Sequence, residues 1–350
     1  MNRKIFISSL VTAGASLSVL KSWAVPSHEH MHRHKIPPYL NPGDTIGITS
    51  PAGYISLEEI RPSVQLIESW GFKVEIGAAV GKKDFTYGGT DAERTADLQR
   101  MLDDPHIHAV MCARGGYGLV RIIDQIDFKQ FARHPKWVIG FSDVTVLHCH
   151  ISRNFGIATL HSKMCNSFPS DWARAEPIQI STILSIRQAL SGEDFKYTAP
   201  SAAANRKGRG QGELIGGNLS IIESVAGTRS DPDTKGRILF LEDTGEYLYT
   251  IDRMLWSLKR RGKLSGLAGL VIGGFKLKPD DAGEEFGKSI YEIVMEKVQE
   301  YDYPVCFDFP VGHQKNNAAL RCGVQHILDV GAGGSKMWSV DSYPELRSGL

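Results

Sequence analysis

The chain has 350 residues, 42% hydrophobic and 23% charged, with a formal net charge of +1. That composition is ordinary for a globular chain long enough for two domains, and it excludes a largely disordered one. A near-zero balance without a long basic block leaves a nucleic-acid partner without electrostatic support.

Residues 1–24 differ from the rest. "MNRK" is a short positive start, "IFISSLVTAGASLSVL" is apolar or small, and Ser22 and Ala24 occupy the small-residue positions of a cleavage site. This reads as a secretory signal peptide with an exported, periplasmic destination. The apolar run is short for a membrane anchor, and Lys21 follows it. Residues 25–36, "VPSHEHMHRHKI", read as a flexible arm. Its alternating His28, His30, His32 and His34 suit weak metal binding less well than a mobile polar segment. The five cysteines, 112, 149, 165, 306 and 322, form no CxxC and lie in apolar stretches, so small buried hydrophobes are the default reading, with a disulfide the alternative in an exported protein. His148 and His150 sit two apart on an expected helix and face apart, so no metal site is expected there.

From residue 37 to 170 strands and helices alternate. "DTIGITSPAG" is a strand running into a turn. "SLEEIRPSVQLIESWG" is a helix opened by a Ser56/Glu59 capping box, with Ile60, Val64 and Ile67 on one face. "FKVEIG" is a strand, and "TDAERTADLQRMLDD" repeats the box with Thr90 and Glu93. "HAVMCA", "WVIGF" and "IATLH" are further strands. The first two end in "RGGYG" (114–118) and "GFSD" (140–143). Alternation at this spacing implies parallel βαβ units, whose ligands gather beyond the carboxyl ends of the strands. Residues 171–210 read as a linker region with one helix and a polar stretch. From 211 to 335 a second unit follows: "GELIGGN" as strand and glycine turn, "GRILFLED" as a strand, a helix around Ile251 and Leu255, then "LAGLVIGGF" and "PVCFDFPVGH" as strands. Residues 336–350 are a tail.

Ser142 lies at a strand-to-helix turn. Such a turn projects a hydroxyl as in a nucleophile elbow, but GFSD is not G-x-S-x-G, and on that serine alone a helix cap is the preferred reading. A serine nucleophile needs a base and an orienting acid. His313 and Glu242 each close an apolar stretch. Spacing alone does not join them, and Glu242 also suits a surface ion pair with Arg253 or Lys259. In "RGGYG", Gly115 and Gly116 can turn N–H groups toward an anionic centre. Arg114 offers either a carboxylate clamp or a structural brace. Asn218 suits a helix cap. No GxGxxG fingerprint is present, so a dinucleotide site is not indicated.

From "PPYLNPGDTIGITSPAG" to about Val330 the chain resembles the LD-carboxypeptidase family of serine peptidases, which includes murein tetrapeptide carboxypeptidases and microcin-immunity peptidases. The resemblance rests on "GGTDAERTADLQRMLDDPHIHAVMCARGGYG", "KWVIGFSDVTVLH", "GELIGGNLSII", "ILFLEDTGEYLYTIDRML" and "FPVGH", which occur in the family's order. It implies an N-terminal flavodoxin-like parallel-sheet domain and a smaller C-terminal β-rich α/β domain. It implies Ser142 as nucleophile, His313 as base and Glu242 as acid, with Glu246 a nearby rival. The amides of Asp143, Gly115 and Gly116 would form the oxyanion hole. The implied reaction removes the terminal D-alanine from murein stem peptides, with no metal and no cofactor, in a homodimer. A related peptidase acting on another amide, such as a peptide–nucleotide antibiotic, and a non-catalytic periplasmic binding protein are the alternatives. Two features depart from the family. "TLHSKM" (159–164) stands where a His-Gly-Pro-Met-like run is common, and an export signal accompanies a recycling role that is usually cytoplasmic.

Overall fold

A computed structural model describes residues 34–193 and 195–340. The signal-peptide reading (1–24), His28, His30 and His32 of the arm, and tail residues 341–350 lie outside the described residues.

Among the described residues thirteen strands form two sheets. They are β1 (Thr45–Thr49), β2 (Lys73–Ile76), β3 (Ala109–Cys112), β4 (Trp137–Gly140), β5 (Thr159–His161), β6 (Lys196–Ala199), β7 (Gly208–Asn218), β8 (Ile238–Thr244), β9 (Gly269–Lys276), β10 (Val305–Cys306), β11 (Leu320–Cys322), β12 (Gln325–Gly331) and β13 (Gly334–Ser339). The first sheet has the order β11-β5-β4-β3-β1-β2. Its five sequential strands are parallel in the flavodoxin-like arrangement, and β11 closes the edge antiparallel to β5. The buried strands β3 and β4 are apolar on both faces because helices cover both. The second sheet, β10-β9-β8-β7-β12-β13-β6, is parallel from β10 to β7 and antiparallel beyond. The expected parallel N-terminal sheet and β-rich second unit are both present.

Local sequence accounts for the elements. Both expected capping boxes form: Ser56 Oγ accepts from the Glu59 amide and Thr90 Oγ1 from the Glu93 amide, each carboxylate reaching back to the cap. A third forms at Ser289 and Glu292. Ile60 and Ile67 are buried on the face read from the sequence. Each such side chain contributes about 1.5–3 kcal/mol.

Three readings are corrected. "GELIGGN" is not strand then turn: β7 runs unbroken through Gly216 and Gly217 to Asn218. "PVCFDFPVGH" is a strand only at Val305–Cys306, because Asp308 (φ +54°), Pro310 and Gly312 (φ +107°) interrupt extended backbone. The polar stretch after residue 200 enters β7 at Gly208, and Lys196–Ala199 forms the edge strand β6. At the end of the arm, His34 is buried. Its N–H donates to Glu213 Oε1 (2.9 Å), its ring pairs with the same carboxylate (2.9 Å), and Nε2 meets Ser152 Oγ (2.9 Å).

The two sheets share an apolar core. One cluster includes Val144, Val146 and Leu147 from the helix region after β4 together with Ile215, Leu219 and Leu239 from the second unit. Gly217 permits this approach: a Cβ there would meet the Thr145 side chain at 2.6 Å, and Thr145 Oγ1 instead accepts the Asn218 N–H at 3.1 Å. The carboxyl end of β4 is thereby fixed against the second unit.

Candidate active site

The turn after β4 sets the first group. Ser142 has φ +64°, a left-handed conformation that non-glycine residues rarely adopt. Strain of this kind, about 1–3 kcal/mol, persists where surrounding structure enforces it. The capping reading is overturned: the Ser142 side chain makes no cap hydrogen bond, and Phe141 occupies the cap position. Among the described residues the hydroxyl is held by no hydrogen bond. The strand–turn–helix form of an elbow is therefore present without its G-x-S-x-G sequence.

The "RGGYG" loop after β3 lies against this turn. A methyl placed on Gly115 would come within 3.1 Å of Ser142 Oγ. The Gly115 carbonyl accepts from Gly53 N–H in the loop after β1 (3.0 Å), while the Gly115 and Gly116 amides donate to no partner among the described residues. Asp143 is 1% exposed, and its Oδ2 accepts the Leu119 N–H at 2.9 Å, tying the two loops together. Burial raises its carboxyl pKa to about 6, against the pull of that hydrogen bond and of Arg94. Arg114 behaves as a brace, Nη1 donating to the Tyr54 carbonyl at 2.9 Å. It does not line the cleft described below.

The second group comes from β8 and the irregular segment 307–313. Glu242 is fully buried at a register irregularity between Leu241 and Asp243, the kind of bulge that re-aims a side chain. Its Oε2 accepts both the backbone N–H of His313 (3.1 Å) and Nδ1–H of its ring (2.6 Å). The surface ion-pair reading fails, since Lys259 pairs with Glu300 instead and Glu242 is inside. Glu246, the rival, is partly exposed and does not contact His313. Nδ1 being fixed as donor, the imidazole's Nε2 is left as the basic nitrogen. The turn carrying His313 is braced by Asn317 Oδ1, which accepts Gly312 N–H at 2.8 Å. A side chain at Gly312 would collide with Glu242 Cβ at 2.5 Å.

The two groups meet at Phe141, whose ring lies 4.8 Å from that of His313. A cleft of about 590 Å³ opens there, lined by Phe141, His313, Gln314, Lys163, Lys276, Lys315, Thr244 and the 166–169 segment. Behind it His161 is fully buried, its ring edge-on to Phe141 and Phe240. Burial, then the neighbouring His148 and His313, hold its pKa well below the usual value, so it is neutral. Phe141 carries no sequence signal beyond adjacency to Ser142, and Asn317, just past Gln314–Asn316, carries none. Asn218 caps the helix Leu219–Ser224 as read, its Oδ1 accepting Ile221 N–H at 3.1 Å, while Nδ2 donates to Asp243. Among the described residues no group of three or more His, Cys, Asp or Glu side chains is placed to hold a metal, and all five cysteines are free and buried.

Two family models match the chain: the LD-carboxypeptidase N-terminal domain over residues 46–162 and the LD-carboxypeptidase C-terminal domain over residues 211–328. A probable murein peptide carboxypeptidase of Bacillus subtilis is 34% identical over 84% of this chain and 91% of its own. The murein tetrapeptide carboxypeptidase of Pseudomonas aeruginosa is 28% identical over 81% and 92%. The crystal structure of a muramoyltetrapeptide carboxypeptidase from Oxalobacter formigenes superposes with a TM-score of 0.74 at 26% identity, covering 84% of this chain and 98% of that one.

Proposed function

The chain belongs to the LD-carboxypeptidase family and is a peptidase, and from that premise we propose that it removes the terminal D-alanine of murein tetrapeptides through a Ser142–His313–Glu242 triad. The observation that carries this reading is the 2.6 Å contact between His313 Nδ1 and buried Glu242, set beside a left-handed Ser142. A buried carboxylate that orients an imidazole next to a strained serine turn has the parts of nucleophilic acyl transfer.

In the proposed mechanism, Ser142 Oγ attacks the carbonyl carbon of the diamino acid while His313 Nε2 takes the hydroxyl proton. The carbonyl electron pair moves to oxygen, where the amides of Gly115, Gly116 and Asp143 receive the oxyanion. Collapse of the intermediate breaks the C–N bond, and imidazolium returns its proton to the leaving D-alanine nitrogen. Water then attacks the ester with His313 again as base, which releases the tripeptide carboxylate and restores Ser142. Glu242 holds the tautomer and stabilises the imidazolium throughout. The reading includes a periplasmic location, supported by the sequence of residues 1–24, and a homodimer, as in the family.

The test is mass spectrometry of a diamino-acid-containing tetrapeptide incubated with the purified protein or with Ser142→Ala. Loss of one D-alanine with the wild type alone is expected. Loss with neither protein, alongside cleavage of a peptide–nucleotide amide, would replace the substrate assignment.

A further inference from the structure

We propose that Lys163 is the anchor for the terminal carboxylate of the substrate, and so the residue that makes this site an exopeptidase. This rests on the reading of Ser142 and His313 as nucleophile and base.

His313 must protonate the departing nitrogen, so the last residue of the substrate lies against the His313 ring. Its carboxylate is one carbon removed from that nitrogen. A cation that recognises the terminus must therefore share His313's immediate surroundings. The Lys163 ammonium lies 5.3 Å from the centroid of the Phe141 ring, the ring that also packs on His313 at 4.8 Å. It donates to the Gln314 carbonyl at 2.8 Å, next to the base in sequence. Among the described residues it forms no ion pair.

The other cations fit less well. Arg114 is turned to the Tyr54 carbonyl and does not line the cleft. Lys315 is paired with Glu176 at 2.7 Å. Lys276 is exposed, so an anion there would gain little over water. Lys163 is partly buried, and burial disfavours its charge, with only the nearby charge of Glu242 opposing the effect. A bound carboxylate would supply the missing counter-charge, and the remaining N–H groups would donate to it.

The experiment compares a tetrapeptide ending in free D-alanine with the same peptide ending in D-alanine amide. It uses the wild type, Lys163→Met and Lys163→Arg, with circular dichroism and melting to establish folding. In the wild type the amide should lower kcat/KM by about 10- to 100-fold, the range of a charged hydrogen bond. In Lys163→Met the free-acid peptide should fall by a similar factor, chiefly through KM, and the two peptides should become nearly equal. Lys163→Arg should restore most of the preference. A merely structural brace to Gln314 would slow both peptides alike and leave the ratio intact, and that result overturns the inference while leaving the triad reading standing. Release of D-alanine by no variant, including the wild type, overturns both.

Discussion

Gly115→Ala tests the placement of the nucleophile without touching it. The new methyl would sit 3.0 Å from Ser142 Cβ, 3.1 Å from Ser142 Oγ and 3.4 Å from Met164 Cε. Carbon atoms prefer about 3.5–4.0 Å, so Ser142 must move by roughly half an ångström. The φ angle of Gly115 is not left-handed, so the alanine adds no backbone strain, and its N–H remains. Met164 can yield, and the stability cost should be about 1 kcal/mol, at the low end for overpacking. Catalysis should suffer more. Misplacement by about 1 Å costs about 100-fold, so a 10- to 100-fold fall in kcat is expected. D-Alanine release, together with the rate of fluorophosphonate labelling, reads the effect, and thermal melting reads the fold. Wild-type rates in a folded Gly115→Ala protein would refute the placement of Ser142 against this loop.

Glu242→Gln should lower kcat by about 10³- to 10⁴-fold, because an amide neither fixes the tautomer nor stabilises imidazolium; steady-state rates beside an unchanged circular dichroism spectrum check this. Stability should fall as pH drops from about 6.5 to 4. Burial depresses His148 to about 4 and His326 to about 3, so the stability that these neutral rings contribute is present above the unfolded value and lost as the pH falls through the folded one. Asp143 opposes them, since its raised pKa of about 6 favours the native state at low pH, but one carboxyl faces two histidines. Urea midpoints that rise on acidification across this range would contradict the assignment. His34→Ala should destabilise by about 1–3 kcal/mol, because it removes the imidazole from buried Glu213, which keeps the residue-34 backbone N–H (2.9 Å) and Arg237 (3.5 Å); chemical denaturation measures it.

The sequence made some of this legible and not the rest, for physical reasons. Capping boxes are local, so Ser56/Glu59 and Thr90/Glu93 were readable from four residues each. Parallel strands buried on both faces announce themselves as apolar runs, which is why β3 and β4 were clear. Ser142 was ambiguous because a cap and an elbow use the same residue at the same place, and only φ separates them. The pairing of Glu242 with His313 spans 71 residues, and no local pattern encodes it. Only the resemblance to the family joins them. The segment before His313 looked like a strand because its composition is apolar. In the structure it is held instead by Asn317 and by the β9 edge, through a bridge between Gly274 and Gly312. Gly216 and Gly217 looked like a turn because two adjacent glycines usually make one. Here the demand came from a neighbour: Thr145 stands where a Gly217 side chain would be.

Peptide mapping after fluorophosphonate labelling asks whether Ser142 is a nucleophile activated by His313, and it needs no knowledge of the substrate. An adduct on Ser142 is expected in the wild type, none in Ser142→Ala, and labelling slowed by at least about 100-fold in His313→Ala, the scale of lost general-base catalysis. An adduct on another serine, or labelling of Ser142 at an undiminished rate without His313, would contradict that assignment.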